Sequence, residues 1–178
     1  MQFRCSFRPV LVVLAMALLA SGFQSLSPGP ECHAEDLLYP LATTSINNEG
    51  ALEHELLTLT NKHRTQHGLP SLVTDDALVK IARDHSSGMA RQGFISHDHP
   101  SGDLKTRINR AGYPHQVIRE NIALAPSVYK AQNALVNSPG HEQNILAKDV
   151  TRVGIGIARC KPPFEKELYI TEIFASAR

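Results

Sequence analysis

The sequence predicts an α+β domain built in layers, on two observations. Apolar residues recur at helical spacing through the first part of the folded region. Two period-two runs then close it: Val153-Gly154-Ile155-Gly156-Ile157-Ala158, and Leu168-Tyr169-Ile170-Thr171-Glu172-Ile173-Phe174 after a Pro-Pro turn. Helices first and an antiparallel hairpin last is the order of a domain whose helices cover a small sheet. The chain has 178 residues, 42% hydrophobic and 20% charged, within the range of one ordinary globular domain.

The elements follow in order. Leu52, Leu56, Leu59 and His63 share one face of a first helix, stopped near Gly68. Thr74 is placed to cap a second helix, with Asp75 and Asp76 at its positive end. Its apolar face is Leu78, Ile81, Ala82, His85 and Met89, and Gly93 ends it. A short third helix spans Leu104 to Ala111. Ile122-Ala123-Leu124 is a brief apolar stretch. Ser127 caps a helix whose inward residues are Val128, Ala131, Ala134 and Leu135. Pro139 stands at a first-turn position, so Gly140 to Leu146 opens another helix. The glycines of the Val153 run leave room for close packing on one face.

Ahead of this region, Arg4 and Arg8 precede an apolar run from Pro9 to Ala20, shorter than the ~20 residues of a membrane span. Residues 1–22 are read as a secretory signal peptide, with cleavage near Gly22 or as late as Ala34. The alternative is an uncleaved anchor. Residues 23–50 read as a polar, Pro- and Gly-containing linker, and 51–176 as the folded domain. Early cleavage leaves Cys32 and Cys160, which could pair; late cleavage leaves Cys160 alone. The expected location is secreted, extracellular or periplasmic, with no stable membrane span once the signal is removed. A net charge of +1 with scattered Lys and Arg argues against a nucleic-acid partner.

Three polar segments carry the chemistry: Phe94-Ile95-Ser96-His97, Glu120-Asn121-Ile122-Ala123, and Asn137-Ser138-Pro139-Gly140-His141 running on to Leu146. His97, Glu120 and His141 are too far apart to meet on one element. If the fold gathers them, two imidazoles and a carboxylate are either a metal site or an acid/base cluster. The alternative is a hydrogen-bonded His–Glu cluster that only fixes loops. Hydrolase motifs fail residue by residue. His141-Glu142 has Ile145 where a zinc protease needs its second histidine, His54-Glu55 has Thr58 there, and no Gly-x-Ser-x-Gly occurs. His63 and His85 fall on apolar helix faces and read as core. His67, His99 and His115 read as exposed turn residues.

Taken in order, these pieces resemble the CAP superfamily of cysteine-rich secretory proteins, antigen 5 and pathogenesis-related proteins, and within it the bacterial secreted branch. The similarity runs from about residue 51 to 175. It is carried by Leu59-Thr60-Asn61-Lys62-His63-Arg64 with Gly68-Leu69-Pro70-Ser71-Leu72, then Ala82 to Met89, Arg107-Ile108 to Ala111-Gly112-Tyr113, the three polar segments, and the two final strands. Arg119 stands where a glycine usually precedes the glutamate, Leu135 where tryptophan is common, and Glu172 where the bacterial branch usually has glutamine. The second glutamate of the eukaryotic cavity has no clear counterpart. The resemblance implies a three-layer α-β-α sandwich with a small antiparallel sheet. It also implies a polar cleft lined by His97, Glu120, His141 and Asn121, in which His97, His141 and Glu120 would ligate a divalent metal such as zinc. The expected activity is binding of a lipid, peptide or cell-envelope ligand rather than catalysis. The alternatives are a metal-assisted hydrolase, protease or esterase, and a structural envelope protein.

Overall fold

A computed structural model describes residues 46–98, 101–159 and 167–176. The stretch read as a signal peptide, most of the stretch read as a linker, the three cysteines and His99 lie outside the described residues. The elements are α1 (Ile46–Gln66), β1 (Val73–Thr74), α2 (Asp76–Gln92), α3 (Leu104–Arg110), β2 (Ile118–Ala125), α4 (Val128–Val136), α5 (Pro139–Ile145), β3 (Arg152–Arg159) and β4 (Leu168–Ala175). The strands form one sheet in the order β1-β3-β4-β2. β3 and β2 flank β4 antiparallel, with Glu120 opposite Ile173 and Asn121 opposite Glu172. The two-residue β1 joins β3 in parallel, so the sheet is mixed rather than antiparallel throughout.

Side-chain alternation along β4 sorts the layers. Thr171 meets Ser86 of α2, and Ile173 clusters with Leu78, Ile81 and Ile108 of α2 and α3. On the other face, Ile170 and Phe174 join Leu56, Ala131, Leu135 and Ile145 of α1, α4 and α5, and Glu172 meets Thr60 of α1. The expected three-layer arrangement is therefore present. Glycines bring the α2 layer close. A Cβ on Gly154 would overlap the backbone of Leu78, and one on Gly156 the backbone of Ala82 and Arg83.

Local sequence explains most helix ends. Asp75, not Thr74, caps α2, accepting from the Ala77 and Leu78 amides, because Thr74 is drawn into β1 beside Val153. Gly93 closes α2 in the left-handed conformation at φ 75°. Asp103 caps α3 and Ser127 caps α4. α1 begins at Ile46, inside the stretch read as linker.

The inward face of α1 also differs from the expected one. Glu53, Leu56, Thr60 and Arg64 are buried, whereas Leu59 and His63 are half-buried. Polar residues can occupy this face because each has partners. The fully buried Arg64 donates to the carbonyls of Pro70, Ile145 and Ala147, clamping the end of α5 to the exit of α1. Glu53 takes a bidentate contact from Arg83 and accepts from the Ile157 amide at 3.3 Å. In α4, Gln132 is buried and Ala134 exposed, since Gln132 meets Thr60.

Candidate functional site

The site gathers around β2, an edge strand of the sheet. Neighbouring residues of a strand face opposite sides, so Glu120 points into the α2–α3 layer and Asn121 into the α1–α4–α5 layer. An edge position lets groups from both layers meet at one strand. Asn144 of α5 closes part of that edge by donating to the Glu120 carbonyl at 3.1 Å.

Glu120 is the hub. Its side chain is 3% exposed. Arg107 Nη2 donates to Oε1 at 2.7 Å, and His97 Nδ1 lies 2.8 Å from Oε2. His85 Nε2 of α2 lies 3.9 Å from Oε1. Arg107 is itself buried and held by the Gly102 carbonyl at 3.1 Å. A buried carboxylate is costly unless it is paired and hydrogen-bonded, and Arg107 supplies that charge. His97, with its side chain 54% exposed, is thus tethered at Nδ1 and presents Nε2 outward.

His141 is half-buried in α5, next to Ser138, and its Nδ1 lies 2.9 Å from the Ser138 hydroxyl. Ser138 occupies the N-cap position of α5 without capping it; its hydroxyl goes to the imidazole instead. Burial, and then the neighbouring His97, hold the His141 imidazole below its ordinary pKa of 6.5, favouring the neutral ring.

Behind the site lies a polar core. Asn121 Nδ2 donates to the His141 carbonyl and to Glu172 Oε2, each at 3.2 Å, and Asn144 donates to Asn121 Oδ1 at 2.9 Å. Thr60 Oγ1 stands between Glu172 Oε1 at 2.9 Å and Gln132 Oε1 at 3.1 Å. Burial pushes the fully enclosed Glu172 carboxyl up from its ordinary pKa, against the lowering effect of these hydrogen bonds. Thr60 donates to one Glu172 oxygen and Asn121 to the other.

The fold therefore joins His97 directly to Glu120. It links Asn121 to the His141 backbone and brings His97 into electrostatic range of the His141 ring. It does not arrange His97, Glu120 and His141 as a ready-made cation site. Among the described residues the three do not form a set with donor atoms within 4.8 Å of one another. Both Glu120 oxygens are already engaged, one by a guanidinium. As arranged, this donor set does not fit a divalent metal. The sequence pattern includes Arg107 in the resemblance but gives it no role in the site, and it places His85 only in the core. Arg107 sits in a short helix with two other cations at Lys105 and Arg110, and only its buried partner singles it out. A separate concavity, lined by Glu53, Arg83 and Val153 among others, lies toward the β1 edge, away from Glu120.

Comparison with known proteins agrees with this architecture. The family model for CAP, the cysteine-rich secretory protein family, matches residues 57–174. Two Bacillus subtilis (strain 168) proteins are similar in sequence. The uncharacterized membrane protein YlbC is 34% identical over 60% of this chain and 32% of its own length. The uncharacterized protein YkwD is 31% identical over 64% of this chain and 45% of its own length. The chain thus spans less than half of either relative. The crystal structure of an extracellular SCP-domain protein from Bacillus anthracis superposes with a TM-score of 0.68 at 29% identity, over 78% of this chain and 45% of that one. No helix among the described residues is long and apolar enough to cross a membrane.

Proposed function

Because the chain belongs to the cysteine-rich secretory protein (CAP) family, we propose that it is an exported binding module that takes an amphipathic ligand of the cell envelope, a lipid or a peptide, at the His97 edge. The observation that carries this reading is the full engagement of Glu120 by Arg107 and His97. A carboxylate used in this way orients an imidazole and is not free to act as a general base. Its product is one outward ring nitrogen on an otherwise rigid frame. Phe94 and Ile95, just ahead of His97, are 54% and 40% exposed. A polar recognition point beside exposed apolar side chains suits a ligand with both characters. Export is supported by the basic and apolar N-terminus and by the extracellular Bacillus anthracis relative.

The Ser138–His141 contact does not match the geometry of a Ser–His–Asp triad. In a Ser–His–Asp arrangement the ring nitrogen facing the serine is Nε2 and the carboxylate holds Nδ1. Here Nδ1 itself faces Ser138.

The test is co-sedimentation with phosphatidylglycerol vesicles together with calorimetry against soluble peptidoglycan peptides. The parent chain is compared with Phe94→Ala, Ile95→Ala and His97→Ala. Binding to either ligand class that is weakened by the apolar variants and by His97→Ala supports the proposal. Equal binding by all four proteins, binding by none, or chelator-sensitive turnover of ester or peptide substrates rejects it.

A further inference from the structure

The last turn of α1 and the residue just past its end carry an i, i+4 histidine pair, His63 and His67. Glu142, in the first turn of α5, meets that pair. His63 Nε2 lies 3.1 Å from Glu142 Oε1. The two imidazole rings are 4.4 Å apart, tilted by 49°. One donor atom from each of the three residues lies within 4.8 Å of the others. We propose that His63, His67 and Glu142 bind a divalent transition-metal ion of the zinc class and clasp the end of α1 to the start of α5.

Four features of the geometry fit such an ion. The donors are of the right chemistry: two imidazoles and a carboxylate are borderline nitrogen and hard oxygen ligands that suit zinc, nickel or copper better than calcium or magnesium. The spacing is close. Tetrahedral zinc with bonds of about 2.0–2.2 Å holds its donors about 3.4 Å apart. Side-chain rotation on fixed helices covers the remainder, since Glu142 is 35% exposed and His67 is exposed. One ring is already oriented: His67 Nδ1 lies 2.9 Å from the His63 carbonyl, an outer-shell bond that leaves Nε2 as the lone-pair nitrogen. Finally, the surroundings tolerate added charge, because the His63–Glu142 pair is partly solvated and its bridging proton can be exchanged for a cation. Three protein ligands leave one coordination position for water. The ion would steady α5, the helix that carries His141 and Asn144, without touching Glu120.

The experiment is calorimetric titration of the full chain with zinc chloride, its thiols alkylated beforehand. It compares the parent with His67→Ala, Glu142→Gln and His97→Ala. Loss of an outer-shell partner alone weakens metal binding about 10- to 100-fold, so removing the His67 ligand is expected to weaken it about a hundredfold or more. Glu142→Gln should also weaken it, and His97→Ala should leave it unchanged. Zinc should raise the melting temperature of the parent and not of His67→Ala. His67 is exposed, so its variant keeps the fold, which circular dichroism checks. Absence of binding by the parent overturns the proposal. So does equal binding by parent and His67→Ala, or loss only in His97→Ala. These outcomes leave the His97 ligand reading untouched, because vesicle and peptide binding are measured without metal.

Discussion

Replacing Gly156 by alanine tests the closest contact in the fold. Gly156 does not occupy the left-handed region, so the backbone alone would accept alanine. On conformational entropy the change would stabilise by about 0.4–1 kcal/mol. Packing reverses that sign. The added methyl would fall inside the backbone of Ala82 and Arg83, whereas ordinary van der Waals contact at a Cβ is 3.4–4 Å. A helix backbone cannot rotate away as a side-chain tip can. Either α2 retreats by about an ångström or more, or β3 bulges. Retreat would loosen Leu78, Ile81, Ala82 and Met89 and stretch the 2.8 Å bond from Ser86 Oγ to the Gly156 carbonyl. Overpacking costs about 1–3 kcal/mol when neighbours can adjust; against rigid backbone the net loss is expected at about 3 kcal/mol. Gly50, exposed in α1 with nothing within 4 Å of its added Cβ, is the control, and alanine there should stabilise by about 0.5–1 kcal/mol. Urea denaturation of both variants measures the difference, with a melting temperature about 10 °C lower for Gly156→Ala. A Gly156→Ala protein within about 0.5 kcal/mol of the parent would refute the backbone-on-backbone contact.

Three further outcomes follow from the polar groups. Arg107→Met leaves Glu120 buried without its cation and should cost about 3–5 kcal/mol in denaturation, with Arg107→Met/Glu120→Gln recovering much of it; additive losses would count against the pair. Glu172 keeps its proton in the folded chain to a higher pH than in the unfolded chain. Above the ordinary carboxyl value of 4.5 the folded state therefore holds more protons, and this group's contribution to stability is lost as pH rises. Glu172→Gln should be more stable than the parent at pH 8 and equal to it near pH 4; parallel stability curves would count against a buried protonated acid. His141 has the opposite sign: its depressed pKa means that the unfolded chain takes the proton first, so stability falls as pH drops below 6.5. His141→Gln should flatten that limb, read from melting temperature between pH 5 and pH 7.5.

Legibility in the sequence tracked the apolar residues. The inward face of α2 was readable because Leu78, Ile81, Ala82, His85 and Met89 repeat at helical spacing and all are buried. The pairing of β3 with β4 was readable from period two. β2 was seen only as Ile122-Ala123-Leu124, because its first half, Ile118 to Asn121, carries an arginine, a glutamate and an asparagine whose burial depends on distant partners. The face of α1 was misplaced for the same reason: hydropathy cannot show that Thr60 and Arg64 are wanted inside. The start of α1 at Ile46 lies in polar sequence, where no apolar repeat marks it.

The sequence alone determined the layered α+β class, the Ser127 cap of α4, the Gly93 end of α2, the close-packing glycines and the residues worth watching: His97, Glu120, Asn121 and His141. Those are local properties, written in spacing and residue type. Only the tertiary structure decided what the watched residues are for. It placed the guanidinium of Arg107 on Glu120, turned His141 toward Ser138, and set Glu142 against His63 and His67. The Arg107–Glu120 and Glu142–His63 partnerships join residues of different elements, and charge and hydrogen-bond satisfaction across such distances is a property of the fold.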